Sequence, residues 1–191
     1  MFHRTAVILT AAAFTAMLGL GAAEPAAAPA AGEKVYFSTD FSQEKLPWGK
    51  YGVGIIEVGP TAGPTEGSKA LKLHFKFDAK GEGWPQSQHH LNPAFTPDGE
   101  FIVEFDIKAE RPGNNVGLRL ELVPFSNYSS KNQIPFLDDG VWKNVKLRFA
   151  ARPGKEGTKV ERICITANGK LQKAGDETIY SIANLKIYAA K

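Results

Sequence analysis

The chain has 191 residues, 23 of them basic and 20 acidic, for a formal net charge of +3, with 43% hydrophobic residues and one cysteine. Charge this close to balance argues against nucleic acid as the main partner. A single cysteine leaves no disulfide framework and no cysteine-based metal site.

Residues 1–23 place one basic residue, Arg4, ahead of an apolar run from Ala6 to Leu20 and end on Gly21-Ala22-Ala23, the layout of a secretory signal peptide cleaved after Ala23. The run is about 15 residues, many of them alanine, against the roughly 20 that span a bilayer, so no transmembrane anchor is expected after cleavage. The expected location is therefore secreted, periplasmic or cell-envelope. Residues 24–32, EPAAAPAAG, are too small to bury anything and read as an Ala/Pro-rich linker. Residues 33–191, about 160 in number, suit one domain with a sizeable core, and no second composition break or internal repeat divides them.

Within that domain helical periodicity is almost absent and two-residue alternation recurs. In KALKLHFKF, Leu71, Leu73, Phe75 and Phe77 alternate with Lys72, His74 and Lys76, the pattern of a strand with one buried face. Phe101, Val103, Phe105 and Ile107 form a second such face, Val116, Leu118, Leu120 and Leu122 a third, and Val145, Leu147 and Phe149 a fourth. Further strands are expected at Lys34–Ser38, Val53–Val58, Val160–Ala167 and Ile182–Tyr188. GPTAGPTEG, TPDGE, RPGNN, DDG, RPGKEG and ANGK supply turn chemistry between them. Eight or nine short strands with no crossover helices imply an all-β fold, an antiparallel two-sheet β-sandwich of jelly-roll type.

Two segments carry a family likeness. LDDGVWKNVKLRF (Leu137–Phe149) resembles the Asp-Gly-x-Trp-Lys-x-Val strand start of the galactose-binding-like jelly rolls, which include many carbohydrate-binding modules. TIYSIANLKIY (Thr178–Tyr188) is similar to their closing strand, and VYFSTDFSQ followed much later by GSKALKLHFKF fits their usual order. The resemblance spans about Val35 to Tyr188 and implies structural roles for Trp142 at the strand start and Asp139-Gly140 in the turn before it. It also implies a structural calcium site, from which this chain departs: Ala183 stands where an acidic ligand is usual, and Ca²⁺ wants six to eight oxygens. Asp40 and Glu44 remain as candidate donors, but no cofactor is expected.

The stretch GWPQSQHHLNP (Gly83–Pro93) is the richest in chemistry. Read as a strand, it puts Trp84, Gln86, Gln88 and His90 on one face and Ser87, His89 and Leu91 on the other. An aromatic ring stacks on the C–H side of a pyranose, and amides donate and accept at once, as hydroxyls do. Arg119 and Glu121 on a neighbouring strand would extend this face, and the loop SNYSS would bring Asn127 and Tyr128 to its edge. Trp48 and Tyr51 in KLPWGKY would cap its rim, unless Trp48, beside Pro and Gly in a long loop, plugs the end of the sandwich instead. The competing reading makes Trp84 a core residue and the Gln-His run a solvated edge strand, with Pro85 discouraging aggregation.

Other chemistries fit less well. His89 and His90 point to opposite faces, so they do not share a metal ion. RLEL with QHH bears a faint likeness to two motifs of jelly-roll alginate lyases, but in the reverse order. Glu104 and Asp106 lie two apart on one strand, a spacing any half-exposed strand produces, and no Gly-x-Ser-x-Gly turn is present. Cys164, in ERICITA, reads as a small buried thiol. Lys72, His74 and Lys76, with Lys146 and Arg148, form basic ladders that would either attract an anionic polymer or make a solvated outer face. The expectation is an exported, non-catalytic protein that binds carbohydrate on one sheet face. A scaffold for a protein partner is the alternative, and a small polysaccharide-active enzyme stands third.

Overall fold

The computed structural model describes residues 33–52, 54–77, 85–111, 118–130, 134, 140–167 and 174–191. They form eleven strands in chain order: β1 (Val35–Thr39), β2 (Gly49–Tyr51), β3 (Ile55–Ala62), β4 (Lys69–Lys76), β5 (Gln86–Phe95), β6 (Phe101–Arg111), β7 (Leu118–Val123), β8 (Tyr128–Ser130), β9 (Trp142–Ala151), β10 (Val160–Ala167) and β11 (Glu177–Ala189). Seven make one sheet in the order β3-β4-β11-β6-β9-β8, with β1 also paired to β11; the other four make a second sheet in the order β2-β5-β10-β7. Every pairing is antiparallel. The architecture is the two-sheet sandwich expected from the alternation.

Strand period fixes which side of each sheet is dry. Leu71, Leu73 and Phe75 of β4, Phe101, Val103, Phe105 and Ile107 of β6, and Leu118, Leu120 and Leu122 of β7 are buried in one core, as is the β9 set Val145, Leu147 and Phe149. Val116 lies outside the described residues. β10 contributes Ile163, Ile165 and Ala167 to the same core, which leaves Arg162, Cys164 and Thr166 on the opposite face of the small sheet.

Two strands are longer than the sequence pattern implied. β3 continues through Gly59-Pro60 to Ala62, so the turn expected at GPTAGPTEG is confined to its second half. Pro60 is tolerated because β3 is an edge strand with one side free of ladder bonds. The turn closes on Gly63, whose N–H donates to the Ser68 carbonyl at 2.9 Å; a Cβ there would come within 2.4 Å of Ser68 Oγ and 2.9 Å of the Lys69 carbonyl. β11 begins five residues earlier than expected and pairs with β4 over its first half and with β1 over its second, while β6 runs along its other side. At the start of β9, Gly140 adopts φ +73° and donates to the Ala109 carbonyl at 2.7 Å. Lys108 Nζ sits 5.4 Å from the Trp142 ring centre.

Tyr128 opens β8 and is 4% exposed. Its hydroxyl donates to the Thr158 carbonyl at 2.6 Å, and burial pushes its pKa up to about 12. Tyr188 is shifted the same way, by burial first and then by the Glu104 carboxylate that accepts from it at 2.7 Å. The folded state thus favours both neutral phenols. Their contribution is complete below the unfolded value of 10.0 and is lost as pH rises from there through the folded values. Melting temperatures taken from about pH 8 to about pH 11.5 should stay level to about pH 10 and then fall, less steeply for Tyr128→Phe. An equal slope in that variant would place the alkaline loss on other groups.

Candidate carbohydrate-binding face

The outer face of the small sheet is a grid set by strand pairing. β10 runs between β5 and β7, so Thr166 lies between Gln86 and Arg119, Cys164 between Gln88 and Glu121, and Arg162 between His90 and Val123. Directly paired residues in an antiparallel ladder project to the same side. On the far edge, β2 sets Tyr51 beside Gln86 and Gly49 beside Gln88. Gly49 carries no side chain where a Cβ would lie 3.2 Å from the Tyr51 ring, so the ring, 44% exposed, leans over bare backbone at the rim.

Gln86, Gln88, Arg119, Glu121, Val123, Arg162, Cys164 and Thr166 line an open groove of about 420 Å³. A run of hydrogen bonds crosses its floor: Arg162 Nη1 donates to Gln88 Oε1 at 2.7 Å, and Gln88 Nε2 donates to Gln86 Oε1 at 2.8 Å. A guanidinium has no acceptor, so it dictates which way the Gln88 amide turns and hence which end meets Gln86. Arg119 Nη2 stands 3.7 Å from Glu121 Oε1. In the middle of the floor the Cys164 thiol is 2% exposed. Burial pushes its pKa up to about 11, with Arg162 pulling down and Glu121 pushing up. It stays protonated at neutral pH and serves as a small, nearly apolar floor.

Of the residues singled out in sequence, Gln86, Gln88, Arg119 and Glu121 converge in this groove. His90 stands opposite Arg162 in the ladder but is exposed and outside the groove lining. Trp84 lies outside the described residues. Tyr128, expected at the groove edge, is instead a core residue of the larger sheet, packed edge-on to Phe101; its hydroxyl finds a carbonyl inside, which removes the reason for it to face water. Of the two readings of Trp48, rim contact or plug, the packing matches the plug: it is 8% exposed, stacked on His89 at 5.3 Å and tilted against Phe41 at 6.1 Å. His89 is turned inward, its Nδ1 2.9 Å from the Pro47 carbonyl, away from the side that carries Gln88. Arg162, Cys164 and Thr166 were not picked out as site residues. The signal for them was the parity of VERICITA, in which they alternate with Ile163, Ile165 and Ala167.

The basic ladders of the larger sheet are not free cations. Lys72 pairs with Glu57 at 2.9 Å, Lys76 with Glu177 at 3.1 Å, Lys146 with Glu104 at 3.2 Å, and Arg148 with Glu100. His74 stands between Glu57 and Glu177 at 3.8 and 3.6 Å. These pairings accord with the second of the two readings, a solvated outer face.

The calcium site implied by the family likeness does not fit the residues present. Ala183 is completely buried and offers no side-chain oxygen. Asp106 accepts from the amides of Asn144 at 3.0 Å and Asn184 at 2.7 Å, and Asp40 accepts from the Ser42 N–H. Among the described residues no helix is long and apolar enough to cross a membrane.

No family model matches the chain. A mannan endo-1,4-beta-mannosidase of Bifidobacterium adolescentis is 28% identical over 109 residues, 57% of this chain but 10% of that protein. The chain thus spans about a tenth of that relative's length. Among solved structures, the family 11 carbohydrate-binding module of Clostridium thermocellum, in complex with a beta-1,3-1,4-mixed-linked tetrasaccharide, matches with a TM-score of 0.53 and 18% identity, over 85% of this chain and 98% of that one. The CBM22-1 xylan-binding domain of Paenibacillus barcinonensis Xyn10C matches with a TM-score of 0.53 and 13% identity, over 85% and 100%. The fold is that of the carbohydrate-binding-module jelly rolls.

Proposed function

We propose that this protein binds a saccharide chain in the groove of the small sheet and breaks no bond in it. The observation that carries the reading is the ordered run Arg162–Gln88–Gln86 across the floor of an open groove. It presents fixed donors and acceptors to hydroxyls, which both donate and accept. Tyr51 at the rim supplies an aromatic face for the C–H side of a sugar ring. Modules of the same fold that bind a mixed-linkage tetrasaccharide or xylan lend support, as does the match to part of a mannanase. Residues 1–23 act as an export signal and residues 24–32 as a linker in this reading, which puts the domain outside the cytoplasm, where polysaccharides are met. Scaffolding of a protein partner would call for a contiguous exposed apolar patch. The exposed large apolar side chains among the described residues are Val35, Tyr51 and Val141, set on separate strands and loops.

A shallow, half-open groove with a handful of polar contacts implies micromolar to millimolar affinity, about −4 to −8 kcal/mol. The test is a polysaccharide screen followed by titration calorimetry on the wild type and a Tyr51→Ala, Gln88→Ala double variant, with folding checked by circular dichroism. Loss of at least about tenfold in affinity by a folded variant is expected, since a stacking face and two hydrogen bonds go together. A folded wild type that binds no glycan in the screen would overturn the reading.

A further inference from the structure

We infer that the groove selects a saccharide chain that carries carboxylate groups, with Arg162 as the residue that reads them. The inference rests on the reading of the groove as a saccharide site. Its ground is a contrast in charge between the two faces of the molecule. On the larger sheet the cations stand against glutamates: Lys72, Lys76, Lys108, Lys146, Arg148 and Lys186 face Glu57, Glu177, Glu110, Glu104, Glu100 and Glu33. Among the described residues of the groove there are two guanidiniums and a single carboxylate. Glu121 is met by Arg119 at 3.7 Å, and among the described residues Arg162 enters no ion pair. Its Nη1 donates to a neutral amide.

That surplus sits where a ligand would lie. Arg162 is on an inner strand of the small sheet, half-buried, between His90 and Val123. The bond to Gln88 holds one edge of the guanidinium, so its remaining N–H groups are pre-organised rather than searching rotamers. A planar fork held in this way matches a carboxylate with two parallel N–H···O bonds, roughly twice as strong as bonds to a neutral acceptor. A ligand that covered Arg162 with hydroxyls alone would remove water from a cation without supplying a countercharge, which costs free energy. Arg119 flanks Thr166, four residues along β10 from Arg162 or about 13 Å. The two cations therefore mark opposite ends of the groove, and the single carboxylate leans on the Arg119 end. Among the described residues, the Arg162 end is the one without a countercharge.

Titration calorimetry on the full chain tests this with four oligosaccharide probes: oligogalacturonate, its methyl ester, glucuronate-decorated xylan oligosaccharides, and the same xylan undecorated. The acid form should bind at least about tenfold tighter than its ester, which is neutral but otherwise alike. The two acidic probes separate a uronate backbone from a uronate branch. Arg162→Gln should erase the preference for acid over ester, whatever it does to the affinity common to both, and Arg162→Lys should retain part of the preference. Equal affinity of wild type for acid and ester would overturn the inference and leave the saccharide reading standing, as would an unchanged preference in folded Arg162→Gln. Absence of binding to any of the four probes and to neutral glucans and mannans would overturn both. Should Arg162→Gln fail to fold, the comparison of acid with ester on the wild type decides alone.

Discussion

Phe101→Ala is expected to lower the unfolding free energy by about 3–5 kcal/mol, enough to remove much of a typical domain's stability. Phe101 opens β6, is completely buried, and is the hub of an aromatic cluster. Its ring stacks on Phe149 at 5.6 Å and stands edge-on to Tyr128 at 5.8 Å, Phe95 at 6.1 Å and Tyr36 at 6.5 Å. Those neighbours come from β9, β8, β5 and β1, and β5 belongs to the smaller sheet. One side chain thus joins both layers, and deleting it leaves a cavity between elements already held by their own ladders, which limits collapse into the space. For a domain of about 160 residues the melting temperature should fall by roughly 10 °C. Phe101→Leu should cost markedly less, because it keeps most of the volume and loses the edge-on contacts, worth about 0.5–1.5 kcal/mol each. A drop below about 1 kcal/mol for Phe101→Ala would mean that the two layers are joined elsewhere.

The cluster also shows how far a linear pattern reaches. Alternation within one strand is a local property, so the inward sets of β4, β6, β7 and β9 could be read directly, and with them the sandwich. The same parity rule put Gln86 with Gln88 and Arg119 with Glu121 on outward faces. What parity cannot express is which strand lies beside which. β10 is more than 35 residues from β7 and more than 60 from β5, yet it runs between them. Its outward residues Arg162, Cys164 and Thr166 thereby became the floor of a groove whose walls alone were legible. The ion pairs of the basic ladders were hidden for the same reason. Lys72, His74 and Lys76 look unbalanced along β4, and their partners Glu57 and Glu177 come from β3 and β11.

Tyr128 and Trp48 mark a different limit. Both sit among polar or turn-forming neighbours, SNYSS and LPWGK, where a large ring reads as exposed. A single carbonyl decides otherwise for Tyr128, since the bond from its hydroxyl to Thr158 lets the whole ring be buried without an unsatisfied polar atom. For Trp48 the deciding partner is His89, a residue 41 positions on, whose ring lies stacked on the indole and whose Nδ1 meets the carbonyl just before it. Tyr51, three residues further, remains 44% exposed at the groove rim.

Cys164→Phe is the substitution with the largest expected effect on binding. Cys164 occupies the middle of the groove floor, flanked in the ladder by Gln88 and Glu121, and its small, protonated side chain is closely covered by its neighbours beneath the groove. A phenylalanine there projects away from the sandwich core, into the volume a sugar would occupy. Affinity for the wild-type ligand should fall at least about a hundredfold, or about 2.7 kcal/mol, because the obstruction blocks contact with Gln88 and Glu121 together. Stability should fall by about the 1–3 kcal/mol typical of overpacking, since Cys164 is 2% exposed and the ring must displace the side chains that cover it on its way into the groove. Cys164→Ala removes only the thiol and should bind within about threefold of wild type. The pair separates occlusion from thiol chemistry: a weak alanine variant would give the sulfur a role of its own. A folded phenylalanine variant that binds as the wild type does would move the ligand off this face altogether.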